Sequence, residues 1–161
     1  MRLCGILLVG LLLPTALPPA QQVQLPARKT LTLEAARRVA AAAEAEAKRN
    51  NWAVSIAVLD GAGHMVVFHR MDGAKLVAIE IAIRKARTAV YFQGPTKGLE
   101  EEVSRGRTAL LPIEGFMPLE GGVPLIVDDV LVGAIGVSGV TGAQDGQCAH
   151  SGATAFRQQF R

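Results

Sequence analysis

The chain has 161 residues, half of them hydrophobic and 19% charged, which suits one globular domain with a full core and excludes a disordered polymer. Seventeen Lys and Arg stand against fourteen Asp and Glu, a formal charge of +3. Aromatics make up only 4%, and no long basic block is present. A nucleic-acid site needs basic grooves and stacking rings, so no nucleic-acid partner is expected.

At the amino end, Met1-Arg2 is a short positive start, Leu3 to Leu13 an apolar run, and Pro14 to Gln21 a cleavage-like region. The run is too short to span a bilayer and has the form of a secretory signal. Residues 1–20 are therefore expected to be removed, and the protein to be secreted or periplasmic. Cys4 lacks the small neighbours of a lipoprotein site, so no membrane anchor is expected. Its loss leaves Cys148 without a disulfide partner, either as a small packed residue or as a reactive thiol. Residues 21–30 are polar with Pro26 and read as a flexible arm before a single domain over 31–161.

Thr32 can cap a helix from Leu33 to Asn50, with Leu33, Ala36, Ala40, Ala43 and Ala47 on one face. That stripe is mostly Ala, so the helix can lie close to a sheet. Val54, Ile56 and Val58 alternate along a strand, Asp60-Gly61-Ala62-Gly63 turns, and His64 to Arg70 returns as the second strand of a hairpin. Met71-Asp72-Gly73 breaks the pattern. A long helix over Lys75 to Phe92 follows, with Leu76, Ile79, Ile83, Ala86 and Val90 as its apolar face. Gly94-Pro95 stops it, and Thr96 can cap a shorter helix ending near Gly106. Arg107 to Leu119, with Pro112 and Pro118, is irregular and has room for a short edge strand. Gly122 to Val127 and Val130 to Val137 form a second hairpin around Asp128-Asp129, with Pro124 marking an unpaired side. A Gly-rich loop over Ser138 to Gly146 leads to a last helix, capped by Asp145, with Ala149, Ala153, Phe156 and Phe160 inward. Two hairpins among helices predict an α+β fold, an antiparallel sheet covered by helices in layers.

No familiar catalytic motif is present. Gly133, Gly136 and Gly139 have the wrong spacing and context for a dinucleotide fingerprint, and Ser138 lacks the second glycine of a nucleophile elbow. His64 and His69 are five apart, an odd number that sends them to opposite faces of a strand unless a bulge intervenes, so they should not share one metal within a subunit. Each is either a surface or hydrogen-bonded histidine, or a single ligand for haem iron or a transition metal. His150 reads as solvated. The glycines are more informative. Gly121 and Gly122 open one strand and Gly136 and Gly139 close its neighbour, beside Glu120 and Asp145. They either serve tight turning or expose N–H groups to a ligand. Lys85 or Thr88 can point toward that opening, while Arg87 reads as a solvated or interface residue.

With these blocks in view, the chain resembles the GlcG proteins of glycolate-utilisation loci. The likeness rests on Asn50-Asn51-Trp52-Ala53-Val54-Ser55-Ile56-Ala57-Val58, Gly63-His64, Arg70-Met71-Asp72 and Lys85-Ala86-Arg87-Thr88-Ala89. It continues through Thr96-Lys97-Gly98, Gly106-Arg107-Thr108-Ala109, Leu119-Glu120-Gly121-Gly122-Val123-Pro124, and Gly136-Val137-Ser138-Gly139 with Thr141-Gly142-Ala143-Gln144-Asp145. The same family includes the secreted haem-binding protein HbpS and the carboxy-terminal domain of PduO proteins. The resemblance implies a profilin-like layered fold with about five strands, and self-association from dimers up to octamers. It also implies haem as cofactor, for sequestration or sensing, with haem degradation proposed for some members. Family blocks match at Asp72, Lys85, Thr88, Thr96, Arg107, Glu120, Gly121, Gly122, Gly136, Gly139 and Asp145. On this reading His64 is the expected axial metal ligand, and Arg70, Lys85, Lys97 and Arg107 are the expected propionate partners. The alternative is an enzyme or accessory acting on a small carboxylate such as glycolate. Arg107 and N–H groups near Gly121 and Gly139 would then hold the carboxylate, with Asp72 or Asp145 as general base. A third reading is a purely structural assembly module.

Overall fold

The computed structural model describes residues 26–159. The expected signal over 1–20, with Cys4, the first half of the arm and the inward place of Phe160 lie outside the described residues. The elements run α1 (Leu33–Arg49), β1 (Ser55–Asp60), β2 (Met65–Arg70), α2 (Leu76–Phe92), α3 (Thr96–Ser104), a single 3₁₀ turn (Thr108–Leu110), β3 (Gly122–Val127), β4 (Val130–Ser138) and α4 (Gly142–Gln158). The strands form one sheet in the order β2-β1-β4-β3, every neighbouring pair antiparallel.

The sheet has four strands where about five were expected. The missing one is the edge strand anticipated between Arg107 and Leu119, which instead makes the 3₁₀ turn and further bends. Pro112 and Pro118 remove ladder donors there. The segment is held by other means: Met117 N–H donates to Thr88 Oγ1 at 2.9 Å, and the Thr96 hydroxyl donates to the Leu119 carbonyl at 2.7 Å.

Two helices cover one face of the sheet and one covers the other. α1 and α4 pack together over a core that includes Val39, Ile56, Val58, Ile135, Val137 and Phe156. α1 is capped by Thr32, whose side chain accepts from Ala35 N–H at 3.2 Å. Its inward stripe includes Ala36, Val39, Ala40, Ala43 and Ala47, whereas Leu33 faces solvent. α2 lies alone on the opposite face, with α3 beside it.

The inward face of α2 differs from the one its large apolar residues suggest. Ala86 and Val90 are buried as expected and Ile83 packs against the core, but Ala78, Ala82, Lys85 and Ala89 are buried with them, while Leu76 is 72% exposed. The cause is the sheet beneath it. Gly122 and Gly136 are register partners on β3 and β4. A Cβ on Gly136 would come within 2.1 Å of the Ala82 carbonyl oxygen, and one on Gly122 within 2.4 Å of the Lys85 carbonyl oxygen. Backbone rests on backbone here, and only small side chains fit between.

Three local signals are realised differently from expectation. α4 is capped by Thr141 through a reciprocal box with Gln144, not by Asp145, which lies in its first turn. Thr96 does not cap α3; Pro95 holds that position and Thr96 turns inward. The β3–β4 hairpin closes as expected on Asp128 and Asp129, both in the left-handed region (φ +47° and +59°), which matches the twist of a two-residue hairpin.

Candidate functional site

The glycines and buried charges of the sequence meet in one seam between α2, β3, β4 and α4. Lys85 Nζ donates to Asp145 Oδ2 at 2.8 Å and to the Val137 carbonyl at 3.1 Å. The two charged side chains are only 2% and 3% exposed. Asp145 Oδ1 accepts from Val140 N–H at 3.2 Å, and Gly139 N–H donates to the same carboxylate. The carboxylate cradled by backbone donors near Gly139 is therefore the protein's own. Burial raises the Asp145 carboxyl above its ordinary range, with the Lys85 charge pulling the other way. Gly121 adopts φ +131°, and a Cβ there would meet the Val137 carbonyl at 2.6 Å and Lys85 Nζ at 2.9 Å. Thr96 Oγ1 accepts from Gly122 N–H at 2.9 Å. Glu120 closes the rim: its N–H donates to Glu100 Oε2 at 2.6 Å and its carboxylate pairs with Lys97 at 3.2 Å.

The structure thus brings Lys85, Thr96, Glu120, Gly121, Gly122, Gly139 and Asp145 together along this seam, while Gly136 lies against Ala82 and Ala86 of α2 and Thr88 accepts from the Met117 N–H. It separates them from the rest of the expected set. Arg70 and Asp72 are exposed at the end of β2 and in the turn after it. Arg107 is exposed and paired with Glu102. His69 faces α1, where Nδ1 lies 2.7 Å from Glu44 Oε2. The Glu44 carboxyl is held below its ordinary range by its hydrogen bond to Lys48 and, opposing burial, by His69.

His64 precedes β2 and lies away from His69; a bulge at Val66, where Val58 pairs with Val67 and Leu59 with Met65, interrupts the strand alternation between them. It lines an open cleft of about 560 Å³ between the β1–β2 turn, the outer stripe of α2 and residues 114–115. Asp60 fixes the turn: its Oδ1 accepts from Ala62 N–H and His64 N–H, each at 2.9 Å. Burial pushes the Asp60 carboxyl up, but these N–H donors outweigh it and hold the group below its ordinary range. The His64 side chain is 81% exposed, with Nδ1 3.8 Å from Asp60 Oδ2. Across the cleft, Arg84 pairs with Glu80 at 2.8 Å. Arg87 has no hydrogen-bond or ion-pair partner among the described residues. Tyr91 lies against the turn, its ring about 3.4 Å from where a Gly63 Cβ would stand. Sequence reasoning singled out His64 but not Arg84 or Tyr91, and read Arg87 as a solvated or interface residue. The available signal was the helical spacing of Glu80, Arg84, Arg87 and Tyr91, which puts all four on one stripe.

Among the described residues no cluster of three or more His, Cys, Asp or Glu could hold a metal ion. No helix among them is long and apolar enough to cross a membrane. A metal here would have to bring most of its own ligands, as haem iron does with its porphyrin nitrogens.

Comparison with known proteins agrees with this architecture. GlcG of Escherichia coli (strain K12) is 48% identical over 108 residues, covering 67% of this chain and 81% of GlcG. The crystal structure of HbpS superposes with a TM-score of 0.77 at 38% identity, covering 84% of this chain and 96% of that one. The crystal structure of a PduOC:haem complex superposes with a TM-score of 0.73 at 29% identity, covering 79% and 95%. A family model described as "Haem degrading protein HbpS-like" matches residues 31–154, and the chain belongs to that HbpS-like family.

Proposed function

We propose that this chain is an exported, oligomeric haem-binding protein that sequesters or senses haem. The observation that carries the reading is the shared fold: a relative covered over 95% of its length, with a TM-score of 0.73, was solved as a haem complex. Export is supported by the positive start and the apolar run Leu3 to Leu13. Self-association is supported by large apolar side chains left in solvent, Leu76 and Val77 on α2 and Leu111 and Ile113 in the following loop. The glycine seam offers a small carboxylate little, because Asp145 already occupies the Val140 and Gly139 donors.

Titration with hemin tests the reading. The expected result is a sharp Soret shift that saturates at a fixed ratio of haem to subunit. A broad change that never saturates is adsorption, and would return attention to small hydroxy acids, screened by thermal shift.

A further inference from the structure

We propose that the flank of α2 beside β2 is a two-fold interface with a second copy of this chain, the two α2 helices packing antiparallel along Leu76, Ile79 and Ile83. This inference rests on the self-association proposed above and gives it a face and a residue pairing.

The helix carries two apolar stripes, and the fold of one chain uses only the first. Ala78, Ala82, Ala86 and Ala89 rest on the sheet. Leu76, Ile79 and Ile83, at spacings of three and four, form a second line. At 3.6 residues per turn it lies roughly a third of a turn away from the first. Leu76 is 72% exposed, and both isoleucines are only half-buried. A helix that covers a sheet needs one apolar stripe, and a second one in solvent marks a contact surface.

The layers point to the same flank. On one face of the sheet, α1 packs on β1 and β2 while α4 packs on β3 and β4. On the other, α2 packs on β1, β3 and β4, so the α2 side of β2 has no helix over it. Register sets Met65 opposite Leu59 and Phe68 opposite Ala57, which turns both toward that side. Phe68 and Ile83 close the edge of the cluster formed by Ala57, Leu59, Ala82 and Ala86, and both stay half-buried. Met65 is exposed. The second stripe of α2 thus continues onto β2 as one apolar surface.

A second copy is the occupant because the flank is complementary to itself. Asp72 lies in the turn before α2, at the Leu76 end, and Arg87 lies one turn beyond Ile83. Neither has a partner among the described residues. Asp72 is four residues before Leu76, and Arg87 four after Ile83. A two-fold axis at Ile79 therefore satisfies three contacts with one register. Leu76 meets the partner subunit's Ile83, Ile79 meets its own counterpart, and Arg87 meets the partner subunit's Asp72, each pair occurring twice. Arg70 and Lys75 flank Asp72 and weaken its pull on a cation, so the apolar stripe supplies most of the association.

Analytical ultracentrifugation of the purified protein and its variants tests this, with matched thermal midpoints as the check on folding. Leu76→Glu and Ile79→Lys should each weaken association by about thirtyfold or more, the scale of a lost interface anchor. Leu76 is exposed, so Leu76→Glu stays decisive if Ile79→Lys proves unstable. Leu33→Glu, exposed on α1 across the sheet, should change nothing. Asp72→Arg and Arg87→Asp should each weaken association about tenfold, because a pair is lost on both sides of the axis. The double variant should recover the loss, and so should an equimolar mixture of the two single variants. If the wild-type chain associates and Leu76→Glu and Ile79→Lys associate equally well, the face is overturned while self-association stands. If those two dissociate but neither the double variant nor the mixture recovers, the two-fold pairing is overturned. If the wild-type chain is a monomer at every concentration, this inference and the self-association reading fall together, and the haem reading is still decided by the hemin titration.

Discussion

Lys85 and Asp145 are a buried ion pair whose two halves lean on the same backbone. Such a pair gives little net stability over apolar groups of the same shape, yet losing one partner strands the other. The Asp145 carboxyl is raised because its burial outweighs the pull of Lys85. A folded-state pKa above the ordinary 3.8 means that the native carboxyl holds its proton where the unfolded one has released it. Its contribution to stability is thus present at and below that value and is lost as pH rises through the folded value. Lys85→Met removes the counter-charge and should cost about 3–5 kcal/mol near neutrality. The deficit should shrink on acidification, because a protonated Asp145 needs no counter-ion. Lys85→Met with Asp145→Asn should recover much of the loss, since Asn still accepts from Val140 and Gly139. Urea midpoints of the three proteins across pH decide it, and a Lys85→Met deficit that stays flat with pH would refute the account.

The elements show why part of this site was legible in the sequence and part was not. The two hairpins, the long helices and the turn at Asp128-Asp129 follow from period and turn chemistry, which are local. The inward face of α2 does not, because a 3.6 period points the largest apolar residues inward, and Leu76 obeyed that rule only on paper. What decides the face is the glycine lane on β3 and β4, and seeing it requires the register that sets Gly122 opposite Gly136. The same holds for the cleft. Arg84, Arg87 and Tyr91 share a stripe by spacing alone, but their meeting with His64 depends on which strands α2 crosses. The lane makes a prediction. Gly136→Ala places a Cβ 2.1 Å from a backbone carbonyl and must push α2 off the sheet, costing about 3 kcal/mol or more. Gly98→Ala, inside α3 with nothing within 4 Å, should be neutral or stabilise by up to about 1 kcal/mol. Thr141→Ala removes the capping box of α4 and should cost about 1 kcal/mol. Thermal midpoints rank the three, and a Gly136→Ala protein as stable as Gly98→Ala would mean that α2 does not rest on backbone.

At the scale of the whole molecule, the layers close over one thiol. Cys148 is the free cysteine among the described residues, fully buried in the core between α1, α4 and the sheet. Composition left it as either a packed residue or a reactive thiol, and burial decides for the first. Desolvation, followed by the charges of Glu46 and Asp145, pushes its pKa from 9.0 up to about 12. The native protein then holds almost no thiolate at ordinary pH, and a reagent cannot reach the sulfur without opening the α4 layer. Labelling of Cys148 in the folded protein should accordingly be slow and should report opening of the domain rather than local chemistry. The rate should climb with urea in step with loss of structure. It should also be faster in Lys85→Met, where the ion pair that ties α2 to α4 is broken. Mass spectrometry after a timed pulse of maleimide gives the rate directly. Rapid labelling in buffer, indifferent to urea and to Lys85→Met, would mean that α4 opens on its own and that the seam does not hold the layers together.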